Sequence, residues 1–252
     1  MESSDALRLL GMPGLYKDEG IVLKTIKLGE ADRIVTLFTR ENGKVRAVAK
    51  GIRKTKSRFG GRLEPFTQVN LMVYKGKGAL DTITAADIIT SFDSVRNDYL
   101  RLTSGAAIVE LVEKISEERE RSFPTYSMLL GALQSLALGG TNVVPAFLVK
   151  LLSISGYHPQ LTVCAGCSRK DGLVAFSPAL GGVACDGCRR EDHNAVRLTP
   201  GGLALLQRLL ANDFGQDSDR DATLDLTAAL RGYAEYHLDR PLKSLRFLVA
   251  TG

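Results

Sequence analysis

Cys164, Cys167, Cys185 and Cys188 are the four cysteines of this 252-residue chain, and they fall as two C-x-x-C pairs separated by seventeen residues. Each pair places two thiolates on one tight turn. Two such turns facing each other supply the four soft ligands of a tetrahedral Zn²⁺. Gly166 and Gly187, inside the pairs, are expected to let the turns close by taking positive φ. Four thiolates leave no open coordination position, so one zinc here is structural and not a Lewis acid. The competing reading is two disulfide or redox-active pairs, which a reducing compartment disfavours. Residues 161–190 are therefore expected to form a small four-cysteine zinc module.

The rest of the chain is composed as a soluble globular protein, with 44% apolar and 24% charged residues. Its start, MESSDALRLLGMPGLY, lacks the basic and then apolar regions of a signal peptide, and no run approaches the roughly 18 apolar residues of a membrane span. A cytoplasmic location is the expectation.

Charge is placed unevenly. Residues 1–90 hold 16 Lys/Arg against 10 Asp/Glu, whereas the remainder holds 17 against 18. From Lys44 to Arg62 there are eight cations (Lys44, Arg46, Lys50, Arg53, Lys54, Lys56, Arg58 and Arg62) and no acid. A solvated surface normally mixes signs, so a block of one sign sets up a field that attracts polyanions. Nucleic acid is the expected ligand, and an ordinary charged loop is the alternative.

Residues 19–28 and 32–39 carry β-branched residues in partial alternation, with Gly29-Glu30 as a turn. Asn42-Gly43 signals a hairpin into a strand at 45–51, and further strands are expected at 66–74 and 80–89. Five short strands with one long basic connection between the third and fourth predict an OB-fold barrel. Such barrels track phosphates with Lys/Arg and stack bases on aromatic rings. Phe59, between Arg58 and Gly60-Gly61, is the candidate stacking ring; Phe66 and Tyr74 are expected on a strand, where a core role competes.

From residue 95 the period becomes helical. Over 95–118, Leu102, Ala106, Val109, Val112 and Ile115 form an apolar stripe, with Glu110, Glu113 and Glu117 on a solvated side. Pro124 opens a helix to about Leu138, closed by Gly139-Gly140. Thr141-Asn142 caps a third, apolar all round through 143–154 and therefore buried. Helices are expected again at 200–212 and 222–239, so the zinc module is an insert in a helical domain. Asp217, Asp219 and Asp221 imitate a calcium loop, but Ala222 and Ala228 occupy the positions of its Gly and Glu, which leaves a polar linker. His158, His193 and His237 are scattered, with His193 a minor alternative zinc ligand. There is no P-loop and no dinucleotide fingerprint, so the chain is not expected to be an enzyme.

Several segments, in order, resemble the RecO family of bacterial recombination mediators. They are GIVLKTIKLGEADRIVTLFT, AKGIRKTKSRFGGRLEPFTQVNLMVY, LLSISGYHPQLTVCAGC and RPLKSLRFL, with a G-x-R-x-x-x-S-R-x-x-x-x-L-x-P run at 51–65. The resemblance implies an α+β protein with an N-terminal OB-fold that binds single- and double-stranded DNA, then a helical domain bearing a four-cysteine zinc module. It implies partnership with RecR and with the C-terminal tail of single-stranded-DNA-binding protein. It further implies annealing of complementary strands, loading of RecA onto coated strands in the RecFOR pathway, and association with the nucleoid. The expected divisions are an extension at 1–16, the barrel at 17–90, helical parts at 91–160 and 191–252, and the module at 161–190. The tail site is expected on the helical domain around the 143–154 helix, with Lys150 and Arg101 as possible rim cations. Two other readings stay open, a zinc-stapled OB-fold RNA-binding factor and a nucleic-acid-modifying enzyme, though the second lacks a carboxylate or histidine cluster in the basic block.

Overall fold

The structure, a computed structural model, describes residues 14–210 and 219–250. Most of the expected N-terminal extension, Asp217 and the end of the 200–212 helix lie outside the described residues. The chain divides into two compact units. One runs to Asp93 and takes in Ser116–Leu133; the other joins Ser94–Ile115 to the chain from Gln134 onward.

The first unit is built on five strands: β1 (Leu15–Leu28), β2 (Asp32–Thr39), β3 (Gly43–Ala49), β4 (Gln68–Tyr74) and β5 (Asp81–Thr90). They close as a barrel in the order β1-β2-β3-β5-β4. The long β1 serves both neighbours. Its first half pairs with β4 from Leu15↔Tyr74, and its second half pairs with β2 out to Leu28↔Asp32, with a bulge between Val22 and Lys24 that bends it from one to the other. Closure rests on a short parallel contact, Ala47↔Asp81 and Val48↔Thr82. Strict alternation along β3 buries Val45, Ala47 and Ala49 and turns Lys44, Arg46 and Val48 outward.

Two differences from expectation have local causes. The first strand begins at Leu15, inside the segment expected to be an extension, because Leu15 and Tyr16 find partners on β4. Phe66 is not on a strand. It stands at φ 74 just before β4, with its N–H donating to the Val22 carbonyl at 2.8 Å and its ring buried.

Beyond the two β3–β5 pairs, residues 116–121 fill the place beside β3. Lys44 and Glu118 form a parallel bridge, and the Arg119 N–H donates to the Lys44 carbonyl at 2.9 Å. Arg119 also donates to Asp81, whose carboxylate is fully buried and takes further hydrogen bonds from the Tyr16 hydroxyl and the Gly76 N–H. Burial and that carboxylate raise the Tyr16 pKa. Gly43 sits where the segment presses closest: φ is +61, and a Cβ there would run into the Glu120 carbonyl.

The second unit contains α2 (Tyr99–Ile115), α4 (Val143–Ile154), α5 (Pro200–Leu210), α6 (Arg220–Leu238) and α7 (Lys243–Ala250). A short α1 (Asp93–Arg96) precedes them, and α3 (Phe123–Ala137) runs across the division at Leu133. The helix expected over 95–118 is thus α1 and α2, ending at Ile115 because the next residues go to the barrel. Its buried face overlaps the expected one only in part: Val109 and Val112 are inside as expected, Ala107, Ile108 and Leu111 join them, and Leu102 is exposed. Helix α2 packs on α4 and α7, and α6 on α4 and α5. Glu110 is not merely solvated. Its carboxylate accepts the N–H groups of Lys243 and Ser244 at 3.1 and 2.7 Å, capping the positive end of α7. Asn142 does precede α4, but it makes no side-chain cap and instead accepts from the Thr223 hydroxyl of α6. Asp219 caps α6 through the Asp221 N–H, which gives part of the calcium-like run a structural use.

Gly43→Ala is expected to lose about 2–3 kcal/mol of stability in urea unfolding, because both the backbone conformation and the space are unavailable to a Cβ. Gly78→Ala, where a Cβ meets nothing within 4 Å, should stay within about 0.5 kcal/mol.

Candidate nucleic-acid interface and metal centre

The connection from β3 to β4, residues 50–67, carries most of the basic block and is an ordered series of turns. Its beginning is tied to the β1–β2 turn. The Gly51 N–H donates to Asp32 Oδ1 at 2.7 Å, and Arg53 donates to the Ala31 carbonyl through its N–H and to the Gly29 carbonyl through its guanidinium. Further on, backbone bonds Ser57→Lys54, Arg62→Phe59 and Glu64→Gly61 fold it back repeatedly. Ile52, Phe59 and Leu63 point inward and belong to the same core cluster as Val35, Leu71 and Ile83. The polar residues between these apolar ones are left on the outside of the loop. Lys50, Arg53, Lys54, Lys56 and Arg58 are exposed, and Arg62 is half-buried with its guanidinium on the Arg58 carbonyl.

Phe59 is the clear correction. It is 1% exposed in the barrel core, with the Arg58 guanidinium 4.9 Å from its ring centroid. The ring offers no face to a base. Closing the barrel mouth with a loop demands a large apolar side chain somewhere along that loop, and Phe59 supplies it.

The structure also separates cations that the sequence runs together. Lys50 through Arg62 are presented by the loop, whereas Lys44 and Arg46 lie on β3 and meet the 116–121 segment. The Lys44 ammonium donates to the Ser116 carbonyl, and Arg46 pairs with Glu118 at 3.6 Å. Sequence reading did not single out Lys24, an exposed cation that the register Lys24↔Thr36↔Arg46 sets in the cross-strand row of Arg46, two strands away, with the buried Thr36 between them. Alternation along β1 was the available signal, blurred by the bulge beside Lys24. Glu64, the first acid after the block, is occupied by Arg33 at 3.1 Å.

The candidate metal centre lies in the second unit. A hairpin of β6 (Leu173–Ser177) and β7 (Gly182–Cys185), with β8 (Val196–Arg197) on the other side of β6, forms a three-stranded sheet. Cys185 ends β7 and Cys188 starts a 3₁₀ turn, while Cys164 and Cys167 come from a turn whose Ala165 N–H donates to the Val183 carbonyl. Ser177 and Asp192 brace the base of the hairpin at 2.6 Å. The four sulfurs lie within 4.8 Å of one another, and Cys167 and Cys185 are 3.8 Å apart. That separation is far too long for a disulfide, at about 2.0 Å, and equals the edge of a tetrahedron with metal–sulfur bonds of about 2.3 Å.

Electrostatics favour a cation there. Burial raises the Cys164 thiol pKa, but hydrogen bonds from the backbone N–H groups of Cys185, Cys167 and Gly166 outweigh it and bring the value to about 6. Cys188, crowded by the thiols of Cys167, Cys185 and Cys164, is pushed up to about 12. Four thiols so close cannot all ionise unaided, and a metal ion removes the conflict. The expected role of the glycines needs correcting. Gly187 has φ −68 and Gly166 is not among the positive-φ residues; Ser168, at φ 61, makes the turn after the first pair. Gly166 is required for space, since its Cβ would lie 3.0 Å from the Cβ and Sγ of Cys188. His193 is exposed and does not join the cluster. His237 packs against Tyr157, Tyr233 and Tyr236, where burial lowers its pKa.

Among the described residues no helix is long and apolar enough to cross a membrane. Comparison with known proteins finds two family models in register with the two ends of the chain: recombination protein O N terminal over residues 12–92, and recombination protein O C terminal over residues 96–246. Curated relatives named DNA repair protein RecO match nearly end to end. Those of Frankia casuarinae and Thermobifida fusca are 42% and 41% identical, each covering 93% of this chain and 98% of the relative. The protein of Streptomyces coelicolor is 39% identical at the same coverage.

Phe59→Ala should cost about 3–4 kcal/mol in urea unfolding, the loss of a core ring. A change of less than about 0.5 kcal/mol is what an exposed stacking ring would give, and it would refute the core assignment.

Proposed function

The chain belongs to the recombination protein O family of DNA repair proteins, and from that premise we propose that it binds DNA along the 50–62 loop and the outward face of β3. The observation that carries this reading is the loop itself, whose apolar residues are spent on the barrel core while its cations stand outside on an ordered backbone without an acid among them. The backbone beneath those cations is already folded into turns, so binding costs little backbone freedom, and contacts to phosphate make recognition independent of sequence. Arg53, Lys54, Lys56, Arg58 and Arg62 contribute charge, joined by Lys50 and, on β3, by Lys44 and Arg46. Membership in a DNA repair family favours this over the RNA-binding alternative.

The wider role follows the family: annealing of complementary strands, action on single- and double-stranded DNA, and loading of RecA onto strands coated by single-stranded-DNA-binding protein, with RecR as partner. For the tail of that coating protein, acidic with a hydrophobic end, the second unit remains the proposed site. The 143–154 helix is an unsuitable surface, since Val144 through Val149 together with Leu151 and Leu152 are buried. Tyr99, Leu100 and Leu138 are exposed, and Arg101 reaches the Ala137 carbonyl next to Leu138. Apolar anchors beside a guanidinium suit such a tail. The metal is proposed to be one Zn²⁺, held by Cys164, Cys167, Cys185 and Cys188 in a purely structural role.

Changing Arg53, Lys54 and Lys56 together to Ala should weaken binding uniformly across sequences. The plot of log affinity against log salt for single strands should flatten by about 1.4–2.1, the share of two to three phosphate contacts. An unchanged slope in the folded triple variant would sink the assignment. Cys164→Ser should lower zinc content and melting temperature together while the folded fraction still binds single strands. Loss of DNA binding at unchanged melting temperature would instead make the module a contact surface.

A further inference from the structure

The structure assigns Glu118 a part in nucleic-acid binding: we infer that its carboxylate is a built-in competitor for phosphate, held against Arg46 so that β3 receives a polyanion only when that contact gives way. The inference rests on the reading of the basic loop and β3 as the interface.

In sequence the basic block contains no acid, and nothing in its spacing suggests a counter-charge. The fold supplies one from far along the chain. Alternation sets Lys44, Arg46 and Val48 in one outward row, and Lys50 follows at the strand end, exposed and leading into the loop cations. At a rise of about 3.3 Å per residue, Arg46 and Lys50 are about 13 Å apart, so a strand tracking the loop cations extends naturally onto Arg46. There it meets Glu118, 3.6 Å from the guanidinium.

The 116–121 segment is attached with two very different strengths. On either side of Glu118 it is fastened: the Arg119 guanidinium reaches the fully buried Asp81 at 2.8 Å, the Arg119 N–H bonds the Lys44 carbonyl, and the Glu120 carbonyl fits against Gly43. The Arg46–Glu118 pair, in contrast, is open to solvent, with side chains 39% and 47% exposed. Exposed pairs at such separations are screened and contribute little. The carboxylate can therefore swing aside while the segment that carries it stays in place. A phosphate offers the same guanidinium a stronger partner, and one linked to the neighbouring loop contacts. Isolated anions gain nothing from that linkage, so the arrangement favours a continuous strand over scattered phosphates.

The test is a double-variant cycle on the full chain, titrating a fluorescent single-stranded oligonucleotide at several salt concentrations. Glu118→Gln keeps the shape and removes the charge. It should tighten binding about two- to five-fold at low salt and steepen the salt dependence by about 0.7, one extra phosphate contact. In an Arg46→Ala background the same substitution should change neither quantity. An unchanged affinity for Glu118→Gln would overturn the inference. So would an equal gain with and without Arg46, which would reduce Glu118 to a general charge effect. The Arg53/Lys54/Lys56 triple variant, run in the same assay, separates the two levels. If it binds as the parent does, the interface reading itself fails; if it weakens while the cycle shows no coupling, only the role of Glu118 falls.

Discussion

A carboxylate with no access to water must find its partners inside the protein, and Asp81 finds three: the Tyr16 hydroxyl, the Arg119 guanidinium and the Gly76 N–H. The barrel depends on that junction. The parallel contact between β3 and β5 that closes the sheet is two residue pairs long, and Asp81 is in one of them. Its hydrogen bonds gather β1, the β4–β5 turn and a segment from beyond the barrel around the weakest seam. Leaving Arg119 out would expose the cost of an unpaired buried charge. The seam therefore tolerates being short because it is chemically, rather than extensively, secured.

What the sequence made legible and what it hid follow from the range of the interactions. Strand positions could be read because alternation is local; Val45, Ala47 and Ala49 announce their burial two residues at a time. The four-cysteine cluster could be read because two C-x-x-C pairs are a local pattern, and the sulfurs do come together. Phe59 was misassigned because it stands among cations, and only the closed barrel shows that the loop needs a ring to fill its mouth. Glu110 looked solvated because its partners, the N–H groups of Lys243 and Ser244, lie 133 and 134 residues away. The same distance effect hid Glu118 from Arg46. Local pattern identified the cations; only tertiary structure shows which of them already have company.

The two sites also illustrate opposite uses of small residues. Gly43 yields room and a backbone conformation no side chain adopts readily, and it lets a neighbouring segment lie flat on a hairpin. Gly166 needs no special φ; it is small so that Cys188 can approach. In one case the constraint is the chain's own torsion together with a neighbouring backbone, and in the other a neighbour's sulfur alone.

The order of the two units along the chain has a consequence for synthesis. Residues 94–115 are made before 116–133, yet they belong with the later unit, while the earlier unit needs the segment that follows them. As the chain emerges from the ribosome, the barrel can seal its seam once Arg119 is out. Helix α2 must then wait with Ile108, Leu111 and Val112 unburied until α4 and finally α7 are made, the last of them more than a hundred residues later. For that interval the nascent chain is expected to carry an apolar helix without its later partners, joined at both ends to segments of the first unit. Such a species is where a chaperone would be expected to act and where aggregation would begin.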